Sequence, residues 1–254
     1  MGFRFAALLL IVAAGCAAPM RQVQSDDVLE RALRASVQIV LEQAGERVRT
    51  GSGVVVASRS ARHGTECLIL TTAHVFSAIA PDTSVVVLFD RDRGPGVPVR
   101  AELVARQEVG ALDLALLRAD SAQCTPAQVG RMPRLGHPIW TVGFPWGRGL
   151  RLTGGVVSQV TFDERANGEA QARLMIDAPV ASGASGGGVF DARTAHLLGL
   201  VEGLGTARVS FGETSGQHID VPMPGETYVI ATSTIRRFLN NVGYGDVLGN
   251  AAER

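Results

Sequence analysis

The sequence predicts an all-β protein: two packed six-stranded antiparallel β-barrels with a C-terminal helix. Three observations carry this prediction. Twelve short runs rich in valine, leucine and isoleucine are separated by turn residues. They fall into two groups of six on either side of a polar, proline- and glycine-bearing connector at 119–137. The one clear helical pattern comes last. Composition agrees, because 30 glycines and 5% aromatics in 254 residues suit many strands and turns, and 46% hydrophobic residues suffice for a full core.

The chain opens on Met1-Gly2-Phe3-Arg4, an apolar run from Phe5 to Ala14, and Gly15-Cys16-Ala17. A short basic start, an apolar run too brief to span a membrane and a small-residue stop predict a secretory signal over 1–15. Ala13-Ala14-Gly15-Cys16 resembles the lipobox of bacterial lipoproteins, with Ala13 where leucine is usual. That resemblance implies lipidation of Cys16 and a lipid-anchored protein in the periplasm or at the outer membrane, and Ala17 resembles outer-membrane sorting.

Residues 16–30 read as a tether and the start of a short helix, which Ser25-Asp26-Asp27 would cap and which runs through Ala35. An N-terminal barrel is expected over 31–125, with strands at 36–42, 53–58, 67–73, 84–89, 99–106 and 113–118. A C-terminal barrel is expected over 126–254, with strands at 139–144, 150–160, 172–177, 188–191, 196–202 and 226–231. Asn167-Gly168 is a hairpin-turn signal, and 203–225, with little periodicity, reads as a long loop. In the closing helix Ile235, Phe238, Leu239 and Val242 share one face, Thr232 or Ser233 can cap it, and Gly243 stops it.

Charge narrows the function classes. The formal net charge is zero, so no basic field points to nucleic acid. Every basic residue apart from histidine is arginine, which excludes lysine-based catalysis. No cysteine or histidine spacing resembles a metal site, and no cofactor is implied.

The chemistry centres on Gly183-Ala184-Ser185-Gly186-Gly187-Gly188. So much glycine marks a tight turn or a close approach, and Ser185 reads as a displayed hydroxyl. Such a hydroxyl needs a base, a group orienting that base, and N–H donors for an oxyanion. His74 follows an apolar strand in Leu70-Thr71-Thr72-Ala73-His74; alone, it would more often be structural. Asp113 lies within an apolar run, where an ionised carboxylate needs a dedicated partner. Gly183–Gly187 also satisfies the Gly-x-Ser-x-Gly elbow of α/β-hydrolases, but that fold needs a helix after the serine and the order serine, acid, histidine. Here a strand-like run follows, and the histidine and the acid come first.

The order His74, Asp113, Ser185 resembles the chymotrypsin-fold (trypsin-like) serine proteases, and within them the bacterial HtrA/Deg branch. Matching stretches are Gly51-Ser52-Gly53-Val54, Leu70-Thr71-Thr72-Ala73-His74-Val75, Asp113-Leu114-Ala115-Leu116-Leu117, Val142-Gly143-Phe144-Pro145-Trp146-Gly147, Gly154-Gly155-Val156-Val157-Ser158 and Gly183–Gly187. The resemblance implies His74 as general base and then acid, Asp113 as its orienter and Ser185 as nucleophile. It places the oxyanion hole at the N–H groups of Gly183 and Ser185. It also puts Cys67 and Cys124 at the same end of two neighbouring strands, making them a candidate disulfide. The chain departs from most HtrA proteins in leaving no room for a PDZ module, and from trypsins in lacking a cleaved Ile-Val-Gly-Gly start. Asp177 stands eight residues before Ser185, and Pro179 occupies the place of a trypsin-like pocket aspartate, so a preference for basic residues is not supported. Glu202 is expected near the strand that pairs with substrate.

These readings give an expected function: a serine endopeptidase held at a bacterial envelope, acting on protein or peptide substrates through an acyl-enzyme. Its activity should rise through roughly pH 6 to 8, the ordinary range of imidazole titration. The alternative is a catalytically silent protease-fold lipoprotein that binds partners. His63, His137, His196 and His218 have no supporting context and read as surface or core residues.

Overall fold

A computed structural model describes residues 20–61, 64–107, 112–164, 170–211 and 217–248. The signal segment, Cys16, His63 and Asn167-Gly168 lie outside the described residues. Six strands form the first barrel: β1 (Ser36–Gln43), β2 (Glu46–Ala61), β3 (Gly64–Thr71), β4 (Ser84–Phe89), β5 (Val97–Gln107) and β6 (Leu114–Asp120). Their order is β1-β2-β3-β6-β5-β4, and β1 pairs with β4 to close the sheet. The second barrel contains β7 (Pro138–Gly143), β8 (Arg151–Glu164), β9 (Ala170–Ile176), β10 (Gly188–Asp191), β11 (Leu197–Phe211) and β12 (Gln217–Ala231). Its order is β10-β11-β12-β9-β8-β7, closed by β10 on β7, and every pairing in both barrels is antiparallel.

Alternation along the strands shows how the barrels pack. Val55, Ile69, Ala115 and Leu117 point into the first barrel with Val37, Ile39 and Val87. Their neighbours Val54, Val56, Leu68, Leu70, Leu114 and Leu116 point outward, into a seam shared with Val142, Phe190, Leu197 and Leu200 of the second barrel. Strands buried on both faces read as continuous apolar runs, which is why Leu68-Ile69-Leu70 and Leu114–Leu117 stand out in the sequence. Two helices cover the seam. α1 (Met20–Ala35) contributes Val28, Ala32 and Ala35, and α2 (Thr232–Asn241) contributes Ile235, Phe238 and Leu239. The connector crosses between barrels, with Ala127 N–H bonding Val55 O at 2.8 Å and Gly130 N–H bonding Leu197 O at 2.8 Å.

Cys67 lies opposite Ala119 in the β3–β6 ladder, and Cys124 follows just past the end of β6. Their Cα atoms are 5.6 Å apart with the sulfur atoms facing, a separation that a disulfide spans.

Three local expectations are corrected. Residues 203–211 and 217–225, expected to be loop, are strand: β11 and β12 continue through them as a ribbon paired from Thr206↔Pro222 to Phe211↔Gln217. Both faces of the ribbon meet solvent, so no buried set marks its period. Helix α1 begins at Met20, so Ser25-Asp26-Asp27 fall inside it instead of capping it. In α2 the cap position is Ala231 and no side chain caps it; Thr232 is buried in the first turn. Gly243 does stop α2, at φ +81° with its N–H on Asn240 O.

Candidate active site

β3 ends at Thr71 and turns into a short 3-10 segment, Ala73–Phe76, that carries His74. The neighbouring strand β6 begins just after Asp113, and Ala73 N–H bonds the Asp113 carbonyl at 3.1 Å, so strand pairing brings the two residues together. Asp113 is 6% exposed, and its carboxylate accepts two bonds from one residue. Oδ1 takes the His74 backbone N–H at 2.9 Å and Oδ2 takes Nδ1–H at 2.8 Å. These two donors satisfy a charge that burial alone would penalise. They also fix the ring, leaving Nε2 as the nitrogen available for proton transfer. Asp113 itself sits at φ +50°, a conformation that aspartate and asparagine tolerate better than most residues.

Ser185 is the second residue of the latter of two successive β-turns. Ala184 N–H closes on Ala181 O at 3.0 Å and Gly187 N–H closes on Ala184 O at 2.9 Å. The third position of each turn is a glycine with positive φ, Gly183 at +91° and Gly186 at +81°, as such turns require. Both also make close approaches. A Cβ on Gly186 would overlap Ser52 O and Thr71 Oγ1, and one on Gly183 would stand 2.8 Å from Phe144 O. Within the loop the amides of Ala184, Gly186 and Gly187 are all engaged, Gly186 with Val201 O at 2.8 Å. Among the described residues, those of Gly183 and Ser185 donate to no protein acceptor.

Ser52, fully buried in β2, joins the serine loop to the histidine barrel. Its N–H donates to Ser185 O at 2.9 Å and its hydroxyl to Gly183 O at 2.8 Å, while that hydroxyl accepts Phe144 N–H at 2.9 Å. Ser52 O in turn accepts the Thr71 hydroxyl at 2.8 Å, three residues before His74. The sequence signal was the matching stretch Gly51–Val54, but Ser52's role depends on partners more than ninety positions away.

Glu202 lies beside Ser185. Ser185 Oγ donates to its backbone oxygen at 3.3 Å. Burial pushes the Glu202 carboxyl above its ordinary range; the charge of Asp113 adds to this, and Arg173 and His74 oppose it. Arg173 Nη2 stands 3.9 Å from Oε1. On the other side of the loop, Trp146 is 66% exposed at φ +58°, and its N–H donates to Ser182 O at 2.6 Å.

The remaining candidates divide. Asp177 accepts Val156 N–H at 2.6 Å, so its carboxylate is committed to β8. His137, read as lacking context, bonds Asp191 Oδ2 through Nε2 at 2.8 Å. Burial pushes Asp191 upward, but the N–H of Arg193, the His137 ring and the N–H of Thr194 together hold it below its ordinary value. This second histidine–aspartate pair ties β10 to the start of β7. His218 is exposed on β12.

Two six-stranded barrels with a histidine–aspartate pair in the first and a glycine-turned serine in the second define a chymotrypsin-like double-barrel protein. Residues 51–200 match the trypsin-like peptidase domain. The chain belongs to the trypsin-like peptidase family. It is 29% identical over 183 residues to Protease Do-like 2, chloroplastic, of Arabidopsis thaliana; the match covers 68% of this chain and about a quarter (26%) of that protein. The fold is similar to that of the serine endoprotease from Yersinia pestis, with a TM-score of 0.61, 23% identity, and coverage of 87% of this chain and 67% of that one. It is also similar to that of the HtrA-type protease AlgW with tripeptide, with a TM-score of 0.64, 21% identity, and coverage of 86% and 63%.

Proposed function

We propose that the chain is a serine endopeptidase in which His74, Asp113 and Ser185 act as a catalytic triad. The observation that carries this reading is the Asp113 carboxylate bonded at 2.8 Å to His74 Nδ1, which in the neutral ring makes Nε2 the nitrogen that accepts a proton. As a peptide enters, the Ser185 hydroxyl turns from Glu202 O to His74 Nε2 and attacks the scissile carbonyl carbon, and Nε2 takes its proton. The oxygen that becomes negative is met by the two unengaged amides of Gly183 and Ser185, a contribution of about 3 kcal/mol per donor in related chemistry. The imidazolium then protonates the leaving amine, and the C–N bond breaks to leave an acyl-Ser185 ester. Water, deprotonated by His74, hydrolyses that ester and regenerates the hydroxyl. Asp113 stays ionised throughout.

The envelope reading belongs to the same proposal: Cys16 carries a lipid that holds the protease at a membrane outside the cytoplasm. A fluorophosphonate probe tests the first part. Wild-type protein should be labelled on Ser185 and cleave casein, and Ser185→Ala should do neither. Unlabelled, folded wild-type protein would favour the silent binding protein. Metabolic labelling with a fatty acid, lost in Cys16→Ser, tests the anchor.

A further inference from the structure

Strand β11 continues well beyond the barrel. On one side β10 pairs with it only from Leu197 to Leu200, and the last bonds there are Gly186 N–H to Val201 O and Val201 N–H to Gly187 O, each 2.8 Å. Past Val201 no described strand pairs with that edge, whereas β12 follows the other edge as far as Phe211. The open edge therefore begins at Glu202, whose carbonyl meets Ser185 Oγ. It runs from the nucleophile out along the ribbon, roughly 20 Å from Glu202 to Val209 at ~3.3 Å per residue.

The ribbon has two unlike faces. The opposed pairs Ala207↔Val221 and Val209↔Ile219 lie on one, and Thr206↔Pro222, Arg208↔Asp220 and Ser210↔His218 lie on the other. Arg208 Nε donates to Asp220 Oδ1 at 3.1 Å on the polar face. On the apolar face Val209, Ile219 and Val221 are 37–50% exposed. The two edges differ as well. β12 carries Pro222 opposite Thr206, and a proline holds its place in a ladder only where its nitrogen faces away from the partner strand, so the outer edge of β12 lacks a donor there. The β11 edge from Thr206 to Ser210 has no proline. Exposed sheet edges are ordinarily blunted because they template pairing. Here one edge is blunted, and the other, continuous with the nucleophile, is left open.

We propose that the β11–β12 ribbon is a docking surface for an extended, apolar segment of a protein substrate, added as a strand on the β11 edge so that its side chains continue the face of Val209, Ile219 and Val221. Antiparallel pairing, the more stable arrangement, places on the ribbon the residues about five to eight positions N-terminal to the bond cut at Ser185. Main-chain bonds then supply affinity and alternate side chains supply selectivity. The inference rests on the serine-protease reading of Ser185.

Binding and cleavage test the two separately. Labelled peptides are titrated into the full chain carrying Ser185→Ala and followed by fluorescence anisotropy. One peptide has valine or isoleucine at alternate positions five to eight residues before the scissile bond, a second has serine there, and a third stops three residues before the bond. The first should bind at least tenfold more tightly than the others. Adding Val209→Ser, Ile219→Ser and Val221→Ser should erase the difference. With Ser185 intact, the same three substitutions should leave cleavage of the short peptide within twofold of wild type. Equal affinities, or discrimination that survives the three substitutions, would overturn the proposal. So would a dimer, or binding to phosphatidylglycerol vesicles, that the substitutions abolish while peptide affinities stay equal, because the face would then belong to a second copy or a membrane. Failure of Ser185 to take a fluorophosphonate would defeat the protease reading while the anisotropy result stood by itself.

Discussion

Replacing Asp113 with asparagine isolates the chemistry of the site from its folding. The backbone is served, since asparagine tolerates φ +50° as well as aspartate does. The hydrogen bonds are not. The carboxylate offers one oxygen to His74 N–H at 2.9 Å and the other to Nδ1–H at 2.8 Å, whereas an amide has only one oxygen. If that oxygen faces the ring, the NH2 group meets a backbone N–H that cannot change its nature. If it faces the backbone, the NH2 group meets Nδ1, and the ring can adapt by moving its proton to Nε2. The second arrangement wins, and it leaves Nε2 protonated, unable to take the Ser185 proton. The loss in kcat for this tautomer error in a related triad is about 10^4-fold, or about 5 kcal/mol in barrier. The assay is kcat and KM on a short peptide at pH 7.5, with thermal unfolding to confirm the fold and imidazole NMR to locate the proton. KM and Tm should barely move, and the NMR spectrum should show Nε2–H. A fall in kcat of less than tenfold in a folded variant would refute the assignment of Asp113 and the tautomer argument with it.

Other sites give independent tests. Ser52→Ala removes the hydroxyl that bridges Phe144 N–H and Gly183 O at a fully buried position; two orphaned groups cost about 2–4 kcal/mol. The variant should unfold at lower urea and lose at least tenfold in kcat/KM, and unchanged kcat/KM would show that Ser52 does not set the oxyanion loop. If Cys67 and Cys124 are bonded, they close a loop spanning 57 positions, a constraint on the unfolded chain of about 2–4 kcal/mol. Dithiothreitol should then lower Tm by roughly 4–16 °C at the usual sensitivity of a chain this size. It should have no effect in Cys67→Ala/Cys124→Ala, and free thiols in native protein would exclude the bond. Glu202 sets a pH dependence: its folded pKa is raised above the reference 4.5, so the native state holds its proton more tightly than the unfolded state. The stability this confers is fully present below 4.5 and is lost as pH rises through the folded value. Urea denaturation of Glu202→Gln should therefore show stability that improves relative to wild type as pH climbs from 4 to 7, and a constant difference would contradict the burial argument.

How much was legible in the sequence follows from where each signal resides. All twelve strands could be located because β2, β3 and β6 bury both faces and their neighbours bury one, so apolar residues report the ladder directly. The extension of β11 and β12 could not, because Val209 and Ile219 share their ribbon with Arg208 and Asp220 and neither face reaches a core. His74, Asp113 and Ser185 stood out through local context: an apolar strand end, a carboxylate among leucines, a run of glycines. Ser52 and the His137–Asp191 pair had no such context, since each is defined by a partner 54 to 131 positions away.

That division explains why the two barrels act as one unit at the site. The stretch with the clearest sequence signal, Gly183 to Gly188, owes its geometry to residues far away in the chain. Gly186 has no Cβ because Ser52 O and Thr71 Oγ1 occupy that space, and these same atoms belong to the strands leading to His74. The serine loop is thus shaped by the barrel that carries His74. A shift of β2 against β3 would move Gly183 and Ser185 relative to His74, so stability at the seam and the alignment of these residues are one property. Ser52 is the residue at which changing one must change the other.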